Sequence, residues 1–350
     1  MPAHRLPLFT LPFLALAATG CSDREARTPT APTVIDQRTG PPSSAAVAFE
    51  TICQVPRGNR GHERTRRLPA RSAEAQLRTT ASYAGPCADY GPAAELGGSP
   101  VRTYAQIDDA GTPLSLGYTF PADFLDGLPT APASGEHCLD VNGNGTIELD
   151  MECVGGHEAV MELPEAFVDE VESPLGWALL NWNPIGHPPP AIFTVAHFDF
   201  HFYIIDLATR NSIDLGTCGL LMDCGDFVTA TAPIPPQYMP AGYMSLGAAE
   251  AFMGDHLVNL ADPVFSGAPF TEVFIYGGWD GSIAFYEPMI THSWLEGVAT
   301  GANPGGCTAL ALPLAWEIAG WYPTEYCIRY RANRADYTVS LESWVYRTAG

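Results

Sequence analysis

The heptapeptide HFDFHFY, residues 197–203, makes the strongest demand on any fold this chain can adopt. Side chains of an extended strand alternate between faces, so His197, Asp199 and His201 stand on one side and Phe198, Phe200 and Phe202 on the other. Three aromatics in step belong in a core, whereas two imidazoles and a carboxylate on one face call for a site or a fully paired polar network. A chain of 350 residues with 46% hydrophobic content can bury such a core, and its 32 prolines and 34 glycines favour a turn-rich chain over a helical bundle. The fold expected is mainly β, a β-sandwich or barrel-like domain with a few short helices.

Other segments agree with this reading. VRTYAQID (101–108), AGTPLSLGYTF and DYTVSLESWVYR read as strands, and AIFTVAHFDFHFYIID as a long strand pair or bent strand. FTEVFIYGGWDGSIAFYEP predicts a hairpin turning at GWDG. LPEAFVDEVE starts with proline and acid as helices do, and ITHSWLEGV predicts a short helix near residue 295. No internal repeat stands out.

The start of the chain points to export. A basic opening (His4, Arg5) leads into the 13-residue apolar run LPLFTLPFLALAA, which is short for a membrane span. The run ends in ATGC, which resembles the lipobox of a bacterial lipoprotein with Ala18 in place of the usual leucine. Residues 1–20 would then be the signal peptide and Cys21 the lipidated first residue, and Ser22 suggests the outer membrane of the cell envelope; an ordinary secreted protein is the alternative. Residues 21–48, rich in Thr, Pro, Ala and Ser, suit a flexible tether. A loop-rich, disulfide-bearing subregion is expected over 49–100 and the main β-rich domain over 101–350.

Eight cysteines remain once Cys21 is set aside, an even number suited to an oxidising compartment. Sequence cannot choose among their connectivities; the sequential set, Cys53–Cys87, Cys138–Cys153, Cys218–Cys224 and Cys307–Cys327, needs the least rearrangement. No C-x-x-C pair supports a metal–thiolate site.

Net charge is −22, and no lysine occurs. Residues 54–78 hold seven of the 17 arginines, while residues 103–328 carry one basic residue, Arg210, against 29 acidic ones. Such a body repels nucleic acid. The arginine-rich segment fits a solvated loop, with anionic lipid headgroups or the acidic body as alternative partners.

CLDVNGNGTIELDMEC (138–153) places Asp140, Asn142 and Asn144 at alternate positions, then Gly145, Thr146 and Glu148. These match the oxygen-donor pattern of calcium loops, although the closing acid is displaced: Met151 stands at the last position, between Asp150 and Glu152. The expectation is a structural calcium site of modest affinity, and an Asn-Gly turn held by a disulfide is the alternative.

In a straight strand His197 and His201 lie about 13 Å apart, too far to share one ion without a bulge. His187 in WNPIGHPPP, His256 in FMGDHLVNLADP and Glu287 in SIAFYEP, on the face of Ile283 and Phe285, complete a candidate set. With His197, Asp199 and His201 it resembles the three-histidine, one-glutamate chemistry of cupin metal sites, with different spacing, and suits zinc, copper, iron or manganese. A buried hydrogen-bonded network and metal-free His–Asp acid–base chemistry are the alternatives. His62, His137, His157 and His292 read as surface or structural. No G-x-S-x-G, H-E-x-x-H, phosphate loop or dinucleotide fingerprint occurs, and no pattern identifies a substrate.

The string NWNPIGHPPP…HFDFHFYIID…MPAGYM…PFTEVFIYGGWDGSIAFYEPMIT resembles a bacterial family of secreted domains of unknown function, one branch of which is regulated by an envelope-stress sigma factor. The resemblance spans about residues 101–295. It implies a β-rich secreted domain, leaves a homo-oligomer open and supplies no catalytic residue; the calcium-like loop and the C-terminal cysteine pair are additions to its pattern.

Overall fold

Phe198, Phe200 and Phe202 are fully buried and point into the space between two antiparallel sheets, where Phe120 and Tyr118 meet them edge-on and stacked. The fold is known from a computed structural model that describes residues 48–57, 62–133, 137–189 and 192–350. The signal segment, Cys21 and the tether up to residue 47 lie outside the described residues.

From Val47 on, the chain is one compact unit. β1 (Phe49–Gln54), β2 (Arg64–Pro69), helix α1 (Ala70–Thr79) and β3 (Tyr83–Ala84) build a small sheet in the order β2-β1-β3, stapled by Cys53–Cys87. An antiparallel meander follows: β4 (Asp89–Leu96), β5 (Ser99–Ile107) and β6 (Pro113–Pro121). After the 138–153 loop, closed by Cys138–Cys153, come β7 (His157–Glu162), α2 (Glu165–Glu170), β8 (Trp177–Asn183) and β9 (His197–Tyr203). An excursion of α3 (Leu207–Asn211), β10 (Leu215–Cys218) and α4 (Cys224–Ala230) holds Cys218–Cys224. Then come β11 (Tyr243–Glu250), β12 (Gly254–Asn259), β13 (Glu272–Trp279), β14 (Ser282–Thr291) and α5 (His292–Thr300). The chain closes with β15 (Gly306–Ala309), β16 (Gly320–Tyr322), β17 (Glu325–Arg331), β18 (Asp336–Glu342) and β19 (Val345–Arg347).

Two sheets form the sandwich. One has seven strands in the order β11-β12-β13-β14-β9-β8-β7, the other six in the order β15-β17-β18-β6-β5-β4, and Cys307 faces Cys327 across β15 and β17. All four cysteine pairs are the sequential ones. The tie between the layers is polar as well as aromatic: the Tyr118 hydroxyl reaches the backbone carbonyls of Leu179 on β8 and His201 on β9. That contact satisfies a buried phenol that would otherwise lack a partner.

The mainly β expectation holds, and the hairpin does so in detail. Trp279 pairs with Ser282, leaving Asp280 and Gly281 as a two-residue turn with φ of 49° and 74°. Positive φ at both positions suits the right-handed strand twist and is what Asp-Gly tolerates. Helix α5 starts where Thr291 accepts a hydrogen bond from the Trp294 amide at 3.2 Å.

Two expectations need correction. The division at residue 100 is not where the fold divides, because β4 and β5 straddle it and belong to the six-stranded sheet, and residues 49–87 carry strands and a helix rather than loops alone. The many Gly, Pro and Arg residues there disguised strands whose exposed faces are polar. The long strand pair or bent strand expected over AIFTVAHFDFHFYIID is the single strand β9, and the chain ahead of it is non-strand where described.

Candidate metal centre

β9 is central in its sheet, with β14 on one side and β8 on the other. The register places Asn183 and Thr291 opposite His197, and Asn181 and Met289 opposite Asp199. Tyr286 pairs with Phe202 and Met289 with Asp199, so Glu287 falls opposite His201. The pairing of β8 with β9 is unbroken over seven residues, so no bulge draws His197 toward His201. The histidine face instead forms two triads, His187–His197–Asp199 and His201–His256–Glu287, each with ligand atoms within 4.8 Å of one another.

In the first triad His197 Nε2 lies 3.2 Å from Asp199 Oδ1 and His187 Nε2 lies 3.6 Å from Asp199 Oδ2. Asn183 donates to the same Oδ2 at 2.7 Å. His187 comes from the proline-rich loop, where its amide bonds the Phe193 carbonyl at 3.0 Å, and the rings of Phe193 and Phe270 wall the site. The second triad puts His201 Nε2 3.5 Å from Glu287 Oε1 and His256 Nε2 3.7 Å from Oε2. Tyr203 stacks on His201, and the Phe285 ring meets both His201 and His256. Phe285 can lie there because its partner is Gly277, where a Cβ would come within 2.1 Å of the ring.

The tautomers follow from the backbone. Nδ1 of His187, His197 and His256 faces the carbonyl oxygens of Pro188 (2.7 Å), Val195 (2.6 Å) and Ala248 (3.0 Å). A carbonyl only accepts, so each Nδ1 carries the hydrogen and each Nε2 of a neutral ring presents a lone pair to a carboxylate oxygen. His197 Nε2, Asp199 Oδ1, both nitrogens of His201 and Glu287 Oε2 are buried without a hydrogen-bond partner. Acceptors turned toward acceptors in a dry site need a proton or a cation between them.

Burial and neighbouring charge set the protonation that these groups take without a metal. Burial lowers the His187 pKa, but the adjacent Asp199 carboxylate more than offsets this and raises it to about 9. Burial raises Asp199, yet the neighbouring His197 and His187 imidazoles hold it well below the usual carboxylate range. Burial depresses His201 to about 3 and His256 to about 4. Glu287 is pushed well above a normal carboxyl by burial and then by the charges of Asp199 and Glu250. The first triad is thus an ion pair and the second a set of uncharged groups.

Each expected ligand therefore reaches one of the triads, although the single ion centre envisaged for all six becomes two positions. Glu287 shares the outer face with Phe285 as expected but not with Ile283, because a register shift between Gly277 and Gly278 leaves Ile283 against the main core while Ala284 and Phe285 pack outside. Sequence reading missed Asn183, one alternation from Asn181 in NWN and on the face of Asp199. It also missed a buried web behind the site: Arg210 pairs with Glu158, Asn181 donates to Glu158 at 3.3 Å, and the Gly155 amide donates to Glu250 at 3.1 Å. Burial raises Glu250 to about 7.

The Cys53–Glu63–Cys87 and Cys307–Glu325–Cys327 groupings offer no thiolate, since their cysteines are disulfides. A cavity of about 810 Å³ lies away from the triads, between Glu63, Arg102, Asp123, Arg334 and Asp336, and Arg334 there is paired with Asp336 and Glu63. His157 and His292 bond the carbonyls of Ala131 and Leu125, in line with structural roles.

In the 138–153 loop Asp140 accepts from the amides of Asn144 (3.1 Å) and Gly145 (2.8 Å), Asn142 Oδ1 from Asn144 (2.9 Å), and Asn144 Oδ1 from Thr146 (2.7 Å). Glu148 receives the side-chain amides of Asn142 and Asn144. Glu152 turns inward, buried, and braces the amides of Val141, Asn142 and Glu148. Asp150 points elsewhere and lines a pocket beside His187.

No family model matches the chain, and neither a curated protein nor a solved structure does. The site must be judged on its own geometry.

Proposed function

We propose that this domain binds first-row transition-metal ions, zinc, copper, iron or manganese, one in each triad, as the business end of a lipid-anchored bacterial envelope protein. One observation carries the reading. The four imidazole-to-carboxylate separations span 3.2 to 3.7 Å. A hydrogen bond would close to about 2.9 Å, whereas two ligands of one tetrahedral ion with bonds of ~2.0–2.1 Å stand about 3.3 Å apart. The backbone carbonyls on three Nδ1 atoms and Asn183 on Asp199 are the outer partners that orient metal ligands.

The second reading is a structural network without metal, favoured by the charge match of His187 with Asp199. It leaves His201 without any hydrogen-bond partner on either nitrogen. Elemental analysis of the purified protein decides between them: two equivalents of transition metal are expected, and a protein that neither carries nor takes up any sinks the reading. Calcium in the Asp140 loop and a lipid on Cys21 belong to the same proposal, and Cys21→Ser should move the protein out of the membrane fraction. No reaction is assigned to the domain.

A further inference from the structure

The triads differ in access. The His187 side chain is 22% exposed and that of His256 13%, whereas those of His201 and Glu287 are 0% and 2% exposed. Two adjoining spaces explain this opening. A space of about 30 Å³ is bounded by Asn183, His187, Gly155 and Gly156, and an outer pocket of about 330 Å³ by Asp150, Met151, Ile185, His187, Pro188 and Thr194. Both share Asp150, Ile185, Gly186, His187 and Pro188, so the two lie against the same stretch of loop. The inner space holds one water or one donor group, and the outer one is the size of a small-molecule site.

We propose that the first triad is an open coordination site whose exchangeable position is reached through this pocket, and that its ligand is a small uncharged molecule with an apolar body and one lone-pair donor. The inference rests on the metal reading of the same triad. Open positions distinguish reactive metal sites from structural ones, which are closed; the second triad packs against Tyr203 and Phe285 and lines neither of these two spaces. The ligand class follows from the walls. Met151, Ile185 and Pro188 give apolar contact, and only Asp150 and Thr194 offer polar side chains besides His187. Among the described residues neither space has a lysine or arginine in its walls, and Arg210, which lines neither, is committed to Glu158. The one charge in an anion's favour would be that of the ion itself, already partly neutralised by Asp199, and Asp150 stands at the pocket that leads to it.

Cobalt-loaded protein tests this, with 4-phenylimidazole as the neutral probe and benzoate as an anion of similar bulk. The neutral probe should change the visible cobalt spectrum saturably while benzoate does not. Ile185→Trp, at an exposed position on the pocket wall, should fill the pocket and weaken the probe by about tenfold or more with cobalt stoichiometry unchanged. Cobalt uptake without a spectral response, or equal binding by Ile185→Trp, overturns the pocket and leaves the metal reading standing. Benzoate binding as tightly overturns the ligand class. A protein that takes up no cobalt overturns both readings together.

Discussion

His201 and Glu287 oppose one another across β9 and β14 with Nε2 and Oε1 3.5 Å apart and no hydrogen bond between them. His197 and Asp199, neighbours on one face of β9, stand 3.2 Å apart and likewise form no hydrogen bond with one another. Two such pairs at separate places along β9 make the metal content divisible.

His197→Ala should therefore remove one equivalent of bound metal and His201→Ala the other, each leaving the remaining ion in place. Metal-to-protein ratios from elemental analysis give the answer. If either variant empties both positions while staying folded by circular dichroism, the two triads are one centre.

Phe200 tests the opposite face. Its ring is fully buried against Tyr118 and Phe120. Phe200→Ala should cost about 3–5 kcal/mol in denaturant unfolding and leave metal stoichiometry unchanged. Loss of metal at full stability would mean the two faces are not independent.

The metal-free protein should lose stability as the pH rises from 6.5. His187 has its pKa raised from 6.5 to about 9, so the folded state holds a proton that the unfolded state has released. Its contribution is complete below 6.5 and lost as pH climbs through about 9. Glu250, raised from 4.5 to about 7, adds to the decline up to that point. At the acid end His201 and His256 act in the opposite sense, since each stays neutral in the fold down to about 3 and about 4. Bound metal replaces the proton on the first triad, so thermal melts of loaded protein should not fall between pH 6.5 and 9. Parallel alkaline declines with and without metal would place the ion elsewhere.

Calcium should raise the melting temperature of the wild type relative to chelator, because a ligand held only by the folded loop stabilises by mass action. Asp140→Ala should abolish the difference. Identical melts for the wild type with calcium and with chelator would leave a disulfide-held turn.

The faces of β9 were legible because a period of two needs only seven consecutive residues, and the GWDG hairpin because Asp280 and Gly281 carry their own turn chemistry. The contents of each triad were legible as a set but not as a partition: His187 comes from the loop just ahead of β9 and His256 from β12, remote in sequence, and only the fold of that loop and the strand order assign one to Asp199 and the other to Glu287. Ile283 was misplaced because one extra residue in β14 opposite Gly277 and Gly278 inverts the alternation, and nothing in SIAFYEP marks that bulge. β4 went unseen because DYGPAAEL mixes glycine, proline and charge in a strand with a largely exposed face.

β9 serves both the aromatic core and the histidine face from one uninterrupted register, and this couples their histories. Inserting or deleting a single residue within it would turn imidazoles into the sandwich and phenylalanines onto the polar face. Descendants of this chain can thus lose or retune the histidines only by point substitution, while length changes are confined to loops such as the one that delivers His187.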